Sequence, residues 1–196
     1  MSSRAAIFAR LRAQSHVPPA APTAYRPAVV DDLAVRLVER ATSVLATGEI
    51  IARLDDLPAA AAAYLAARDL PREAAIARDL AHLAWGDAGL RVLEAPSRRS
   101  VTASVAYAPA AIAETGSLVL TSREAPWPNL LADTHIAVVP RSHIVPSFEE
   151  AVGRLAGNRL PRSLHVVTGP SRTGDIEQTL ELGAHGAVRL HIVVVP

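Results

Sequence analysis

The sequence predicts an α/β protein built on a wound, mostly parallel sheet with flanking helices. Three observations predict it. Helical and strand-like segments alternate through residues 30–94. Beyond residue 100 the chain changes to short, nearly continuous apolar runs, the pattern of strands buried on both faces. Helical stretches at 148–155 and 175–182 lie between the later runs. With 196 residues, half of them hydrophobic, the chain can bury one sizeable core but not two. The expected organisation is an N-terminal helix and proline-rich arm over residues 1–28, then one domain over 29–196.

Ser2 and Ser3 cap a short helix over residues 4–14, with Ile7, Phe8 and Leu11 on one stripe that needs a partner surface. The segment HVPPAAPTAYRP that follows is too rich in proline for a helix or a central strand, and reads as an extended arm. Over residues 30–47, Leu33, Leu37, Val44 and Leu45 recur at roughly helical spacing. Asp31 and Asp32 favour the amino end of that helix, and Gly48 offers a stop. A strand at 49–53 comes next, then a helix at 58–68 with Pro58 in its first turn. A strand at 74–77, a helix at 80–88 and a strand at 91–94 continue the alternation. Strands are then expected at 102–107, 111–113, 118–121, 136–140, 164–167 and 190–195, with a hairpin near Gly116.

Composition narrows the chemistry. The 20 basic and 19 acidic side chains nearly cancel, so no one-sided field argues for nucleic acid or an anionic membrane. Every basic residue is arginine, which removes a Schiff-base lysine and the lysine of a phosphate-binding loop. Cysteine is absent, which removes a thiol nucleophile, a thiolate-ligated zinc or iron–sulfur cluster, and a disulfide framework from this chain. Arginines interrupt the apolar positions of MSSRAAIFARLRAQ, unlike a secretory signal. Charge also breaks every alanine-rich stretch before the roughly 20 apolar residues of a membrane span. The expected location is the cytoplasm.

The strongest local signal is a strand-like run entering TGPSRTGDIE at 168–177. Ligands of open α/β sheets bind outside the carboxyl ends of strands. There Thr168, Ser171 and Thr173 offer hydroxyls, Arg172 offers a fork of donors, and a helix opening near Asp175 would offer free N–H groups to an anion. Gly169 belongs to the same turn. The alternative is that Ser171 or Thr173 only caps the helix, Arg172 is solvated and Asp175 complements the dipole. A second signal, Glu114-Thr115-Gly116, puts a carboxylate at a glycine turn, where it is suited to act as base, nucleophile or hydroxyl acceptor, or to serve the turn alone. A third is His185 between Gly183 and Gly186, able to donate to an anion or act as acid or base. Glu114 and His185 are expected to share one cleft. The seven histidines show no i, i+4 pair and no zinc pattern, so no protein-ligated metal is expected. His135 and His191 read as hydrogen-bonded core or face residues. Arg123 and Trp127 fall in a proline-shaped loop, Trp127 more in keeping with closing the core than with covering the site.

AIAETGSLVL at 111–120, HIAVVP at 135–140, TGPSRTGDIE at 168–177 and LGAHGAVRLHIVVV at 182–195 together resemble the LUD-domain family, most closely its lactate-utilisation protein C group. The resemblance covers about half the chain, and residues 1–100 share it only loosely. Gly174 stands where family members often have alanine, and Ala187 where proline is usual. The resemblance implies a fold similar to the sugar-phosphate isomerase and CoA-transferase group. It also implies a part in oxidising L-lactate to pyruvate beside iron–sulfur partner proteins, as a subunit or accessory protein with a small carboxylate or phosphate-bearing ligand. The cofactor is left open. Alternatives are a stand-alone enzyme of the CoA-transferase or formyl-folate cyclo-ligase fold group, with Glu114 as nucleophile, and a metabolite-binding regulatory module.

Overall fold

The computed structural model describes residues 3–13, 23, 25–93, 101–122, 132–156, 161–174, 180–182 and 186–196. Six strands form a parallel sheet in the order β1-β12-β7-β4-β2-β3. They are β1 (Thr47–Ile50), β2 (Glu73–Ile76), β3 (Arg91–Val92), β4 (Ala103–Tyr107), β7 (Thr134–Pro140) and β12 (Arg189–Val195). A second sheet has the order β8-β5-β6-β9, from β5 (Ala110–Ile112), β6 (Ser117–Thr121), β8 (Ile144–Val145) and β9 (Leu164–Val167). β5 and β6 form the antiparallel hairpin expected near Gly116. The α/β class with a mostly parallel sheet is therefore observed.

The apolar runs are continuous because both faces of the main sheet are covered. Ile136, Val138, Val193 and Val195 point to one face, packing with Leu57, Ala61 and Leu65 of helix α3 (Leu57–Ala66). Ala137, Val139, Ile192 and Val194 point to the other, against Leu37 and Ala41 of α2 (Leu33–Ser43) and Leu118 and Leu120 of β6. Each large aliphatic side chain buried this way contributes about 1.5–3 kcal/mol. Helix α4 (Phe148–Ala156) covers the outside of the second sheet through Ala151 and Leu155 against Ile112 and Val119. Its start is capped by Ser147, whose Oγ accepts the Glu150 N–H at 3.3 Å.

Asp32 caps α2, accepting the N–H groups of Ala34 at 2.8 Å and Val35 at 3.3 Å. The helix does not run on to Gly48. Leu45 takes a left-handed φ of 70°, and the Ala46 N–H returns to the Ala41 carbonyl at 3.0 Å, which ends the helix without a glycine. Gly48 lies in β1 instead, where a Cβ would sit 3.2 Å from the Ile192 carbonyl and 3.3 Å from Val38, so it lets α2 cross β1 closely.

Two expected helices differ from what is observed. Residues 80–88 follow a short 3-10 turn (Arg78–Leu80) as successive turns: the Leu80 carbonyl accepts the Leu83 N–H at 3.2 Å, an i to i+3 bond, and also the buried Trp85 indole N–H at 2.9 Å. Residues 175–182 are not one helix: Leu180–Leu182 is strand β11, antiparallel to β10 (Arg172–Gly174). Leu180-Glu181-Leu182 alternates with period two, a pattern that suits a strand. Helix α1 (Ser3–Ala13) forms as expected, with Ile7, Phe8 and Leu11 exposed.

Candidate functional site

Two glycine turns meet at the carboxyl end of α2. Gly116 has φ 70°, and a Cβ there would fall 2.3 Å from the Ala41 amide nitrogen. Gly169 has φ 77°, and its Cβ would fall 2.3 Å from the Val44 carbonyl oxygen. Only glycine supplies both the backbone angle and the clearance. The close approach brings the 114–117 turn and the 168–171 turn together, and a chain of hydroxyls joins them. Thr115 Oγ1 lies 2.7 Å from Ser117 Oγ, which lies 2.7 Å from Thr168 Oγ1. On the other side of the second turn, the Ser171 N–H donates to the Ala187 carbonyl at 2.8 Å, and a Cβ on Gly186 would be 3.4 Å from Ser171 Cβ. The 168–172 and 186–187 segments, 15 or so positions apart in sequence, are thus neighbours.

The turn does follow the carboxyl end of β9, but β9 belongs to the small sheet. Relative to the main sheet the cluster lies at the amino edge, since Val44 leads into β1 and Ala187 into β12. The turn thus follows the carboxyl end of a strand, as the sequence suggests, but a strand of the smaller sheet. Asp175, where the expected helix would open, lies outside the described residues, and Leu180–Leu182 is a strand paired with Arg172–Gly174.

Glu114 borders a cleft of about 410 Å3, whose lining includes Tyr25, Arg36, Arg40 and Thr115. The Tyr25 hydroxyl, carried on the N-terminal arm, donates to Glu114 Oε2 at 2.7 Å. That bond to a carboxylate raises the Tyr25 pKa, with desolvation and the charges of Glu114 and Glu149 adding to it. Arg36 and Arg40 lie one helical turn apart on α2, beside its buried Ala34-Leu37-Ala41 face. Among the described residues Arg36 pairs with the exposed Glu39 at 3.8 Å, and such a pair is weak. Among the described residues no carboxylate pairs with Arg40. The cleft thus offers two guanidinium groups to an anion opposite a carboxylate held by a phenol.

The structure brings together Glu114, Thr115, Gly116, Thr168, Gly169 and Ser171. Arg172 is exposed at the start of β10, opposite Leu182, and the Thr173 backbone pairs with Glu181. Asp175, His185, Arg123 and Trp127 lie outside the described residues. His191 is the face residue expected, bonded through Nδ1 to Thr47 Oγ1 at 2.9 Å and through Nε2 to Glu49 at 3.0 Å. His135 is in the core, as expected, and among the described residues its Nε2 has no hydrogen-bond partner. Tyr25, Arg36, Arg40 and Ser117 were not legible as site residues; only the i, i+4 arginines on one helix carried a signal. Among the described residues no three His, Asp or Glu side chains cluster to hold a metal ion. No described helix is long and apolar enough to cross a membrane.

Residues 97–195 match the LUD domain family. Among curated proteins the chain is similar to lactate utilization protein C of Macrococcus caseolyticus, 32% identical over 119 residues, covering 57% of this chain and 51% of that protein. It is also similar to lactate utilization protein C of Bacillus subtilis, 34% identical over 98 residues, covering 46% and 41%. The chain spans about half the length of the curated relatives it matches. Among solved structures, a DUF162 family protein from Deinococcus radiodurans shares the fold, with a TM-score of 0.60, 24% identity, and coverage of 84% of this chain and 96% of that one.

Proposed function

This chain belongs to the LUD-domain family, and from that premise we propose that it is a cytoplasmic subunit or accessory protein of L-lactate utilisation that holds a small anion where its two glycine turns meet. The observation that carries the reading is the hydroxyl chain Thr115–Ser117–Thr168, which ties the Glu114 turn to the 168–172 turn beside a cleft lined by Arg36 and Arg40. Guanidinium forks match a carboxylate or phosphate. Glu114 then faces the ligand's own hydroxyl as acceptor, its orientation set by Tyr25. His185, a candidate from the sequence, lies outside the described residues and has no assigned role in this reading.

Oxidising lactate to pyruvate releases two electrons, and these 196 residues contain no cysteine to ligate an iron–sulfur cluster. The electrons therefore pass to cluster-bearing partner proteins. The names of the relatives support the pathway. The test is to purify the chain and assay lactate-dependent dye reduction, then to delete its gene in cells fed only L-lactate. The purified chain should be inactive and the deletion strain should fail to grow. Robust dye reduction by the chain alone, or unimpaired growth without a redundant pathway, overturns the accessory reading.

A further inference from the structure

A second cleft, of about 330 Å3, opens at the amino edge of the main sheet and is lined by Leu45, Thr47, Tyr64, Arg68, Arg189 and Leu190. It shares the 44–45 turn with the site above, for Val44 meets Gly169 while Leu45 lines this cleft. Its two cations differ in how they are held. Arg68 sits over Tyr64, its guanidinium carbon 3.8 Å from the ring centroid, and its Nη1 donates to the Tyr64 carbonyl at 3.4 Å. Tyr64 in turn stacks on His191, with ring centroids 4.0 Å apart and planes at 19°. Three planar groups therefore form one column, and the bottom of the column is fixed by Thr47 and Glu49. Arg189 stands at the start of β12, exposed, and among the described residues no carboxylate pairs with either arginine.

Burial lowers the His191 pKa, and the charge of Arg68 adds to this, against the opposing pull of Glu49. The neutral ring then has one consistent arrangement: Nε2–H donates to Glu49, and Nδ1 accepts from the Thr47 hydroxyl. Thr47 Oγ1 lies closer to His191 Nδ1, at 2.9 Å, than to the Leu190 carbonyl, at 3.5 Å; with its proton on that shorter bond, the Thr47 oxygen lining the cleft can accept from a hydroxyl or protonated oxygen of a ligand. Two guanidinium forks and one acceptor suit a small oxyanion that also carries an O–H. A stacked arginine loses little rotamer freedom on binding, so the cleft is preorganised.

We propose that Arg68, Arg189 and Thr47 form a second binding site, separate from the glycine-turn cleft, for a small protonated or hydroxylated oxyanion of the carboxylate or phosphate class. The proposal does not depend on the lactate reading. It is tested with inorganic phosphate and L-lactate as separate probes, following the imidazole resonances of His191 by NMR in the full chain at fixed pH. Saturable shifts with either probe are expected, and the one that binds more tightly identifies the class. Arg68→Gln with Arg189→Gln, both on the surface, should weaken that binding at least about tenfold. Arg172→Ala should leave it unchanged. The site is refuted if neither probe moves His191, if the double variant binds as the parent does, or if Arg172→Ala alone removes the shift.

Discussion

Replacing Gly116 with alanine is expected to destabilise the protein by roughly 2–5 kcal/mol, the sum of a left-handed backbone penalty and overpacking against a fixed neighbour. The neighbour is the α2 backbone, whose Ala41 nitrogen lies 2.3 Å from the position a Cβ would take, and a backbone cannot swing aside as a flexible side chain can. Gly169→Ala meets the Val44 carbonyl at the same 2.3 Å and should behave alike. Typical domains have only about 5–15 kcal/mol in all, so either change brings the chain near unfolding. Gly153 is the control. It lies within α4 with nothing within 4 Å of its Cβ position, and Gly153→Ala should be neutral or stabilising by up to about 1 kcal/mol. Urea midpoints measure all three. A Gly116→Ala midpoint equal to the parent's would mean that the turn does not dock on α2.

Stability should also fall steeply in mild acid because of His135. It is fully buried on β7, and burial alone pushes its pKa down to about 4 from 6.5. The unfolded chain takes up a proton near pH 6.5, while the folded chain resists until about pH 4, so the unfolded state binds more protons across that window. Stability is therefore full above about pH 6.5 and is lost progressively as pH falls to about 4, by about 3 kcal/mol at 1.36 kcal/mol per unit. His191, also lowered, acts in the same direction. Substituting His135→Leu places an apolar side chain beside Leu190, its partner on β12, and should flatten the pH dependence of the urea midpoint between pH 6.5 and 4. An unchanged slope in that variant would assign the acid sensitivity to other groups.

Patterns set by local chemistry were legible in the sequence, and patterns set by tertiary contacts were not. The two-sided burial of β7 and β12 was written as unbroken apolar runs, and the β5–β6 hairpin as a glycine turn between two of them. The stop of α2 was misplaced because Leu45 accepts a strained angle that glycine usually takes, held by the bond from Ala46 to Ala41. In place of the helix expected over 80–88 stand turns around the buried Trp85, whose indole bond to the Leu80 carbonyl sequence spacing does not reveal. At the site, Glu114 and the 168–171 turn were recognisable as separate motifs. Their union through Ser117 depends on register between β6 and β9, Leu118 opposite Val167, which no local pattern encodes. Arg36 and Arg40 were hidden for the same reason: a helix face shows what it can offer, not what it faces.

The central claim is that the meeting of the two glycine turns forms an anion site, and a calorimetric titration of L-lactate tests it most directly. It is best done in the Arg68→Gln, Arg189→Gln background, so that the amino-edge cleft stays silent. The account predicts saturable binding that Arg172→Ala, and separately Arg40→Ala, each weaken about tenfold, the loss of one charge-assisted contact. Glu114→Gln should weaken it less, because the amide still accepts from the ligand hydroxyl through its oxygen. Equal affinity for L-lactate in the parent background, Arg172→Ala and Arg40→Ala, or no binding in any of them, would contradict the claim and leave the two turns as packing devices for α2.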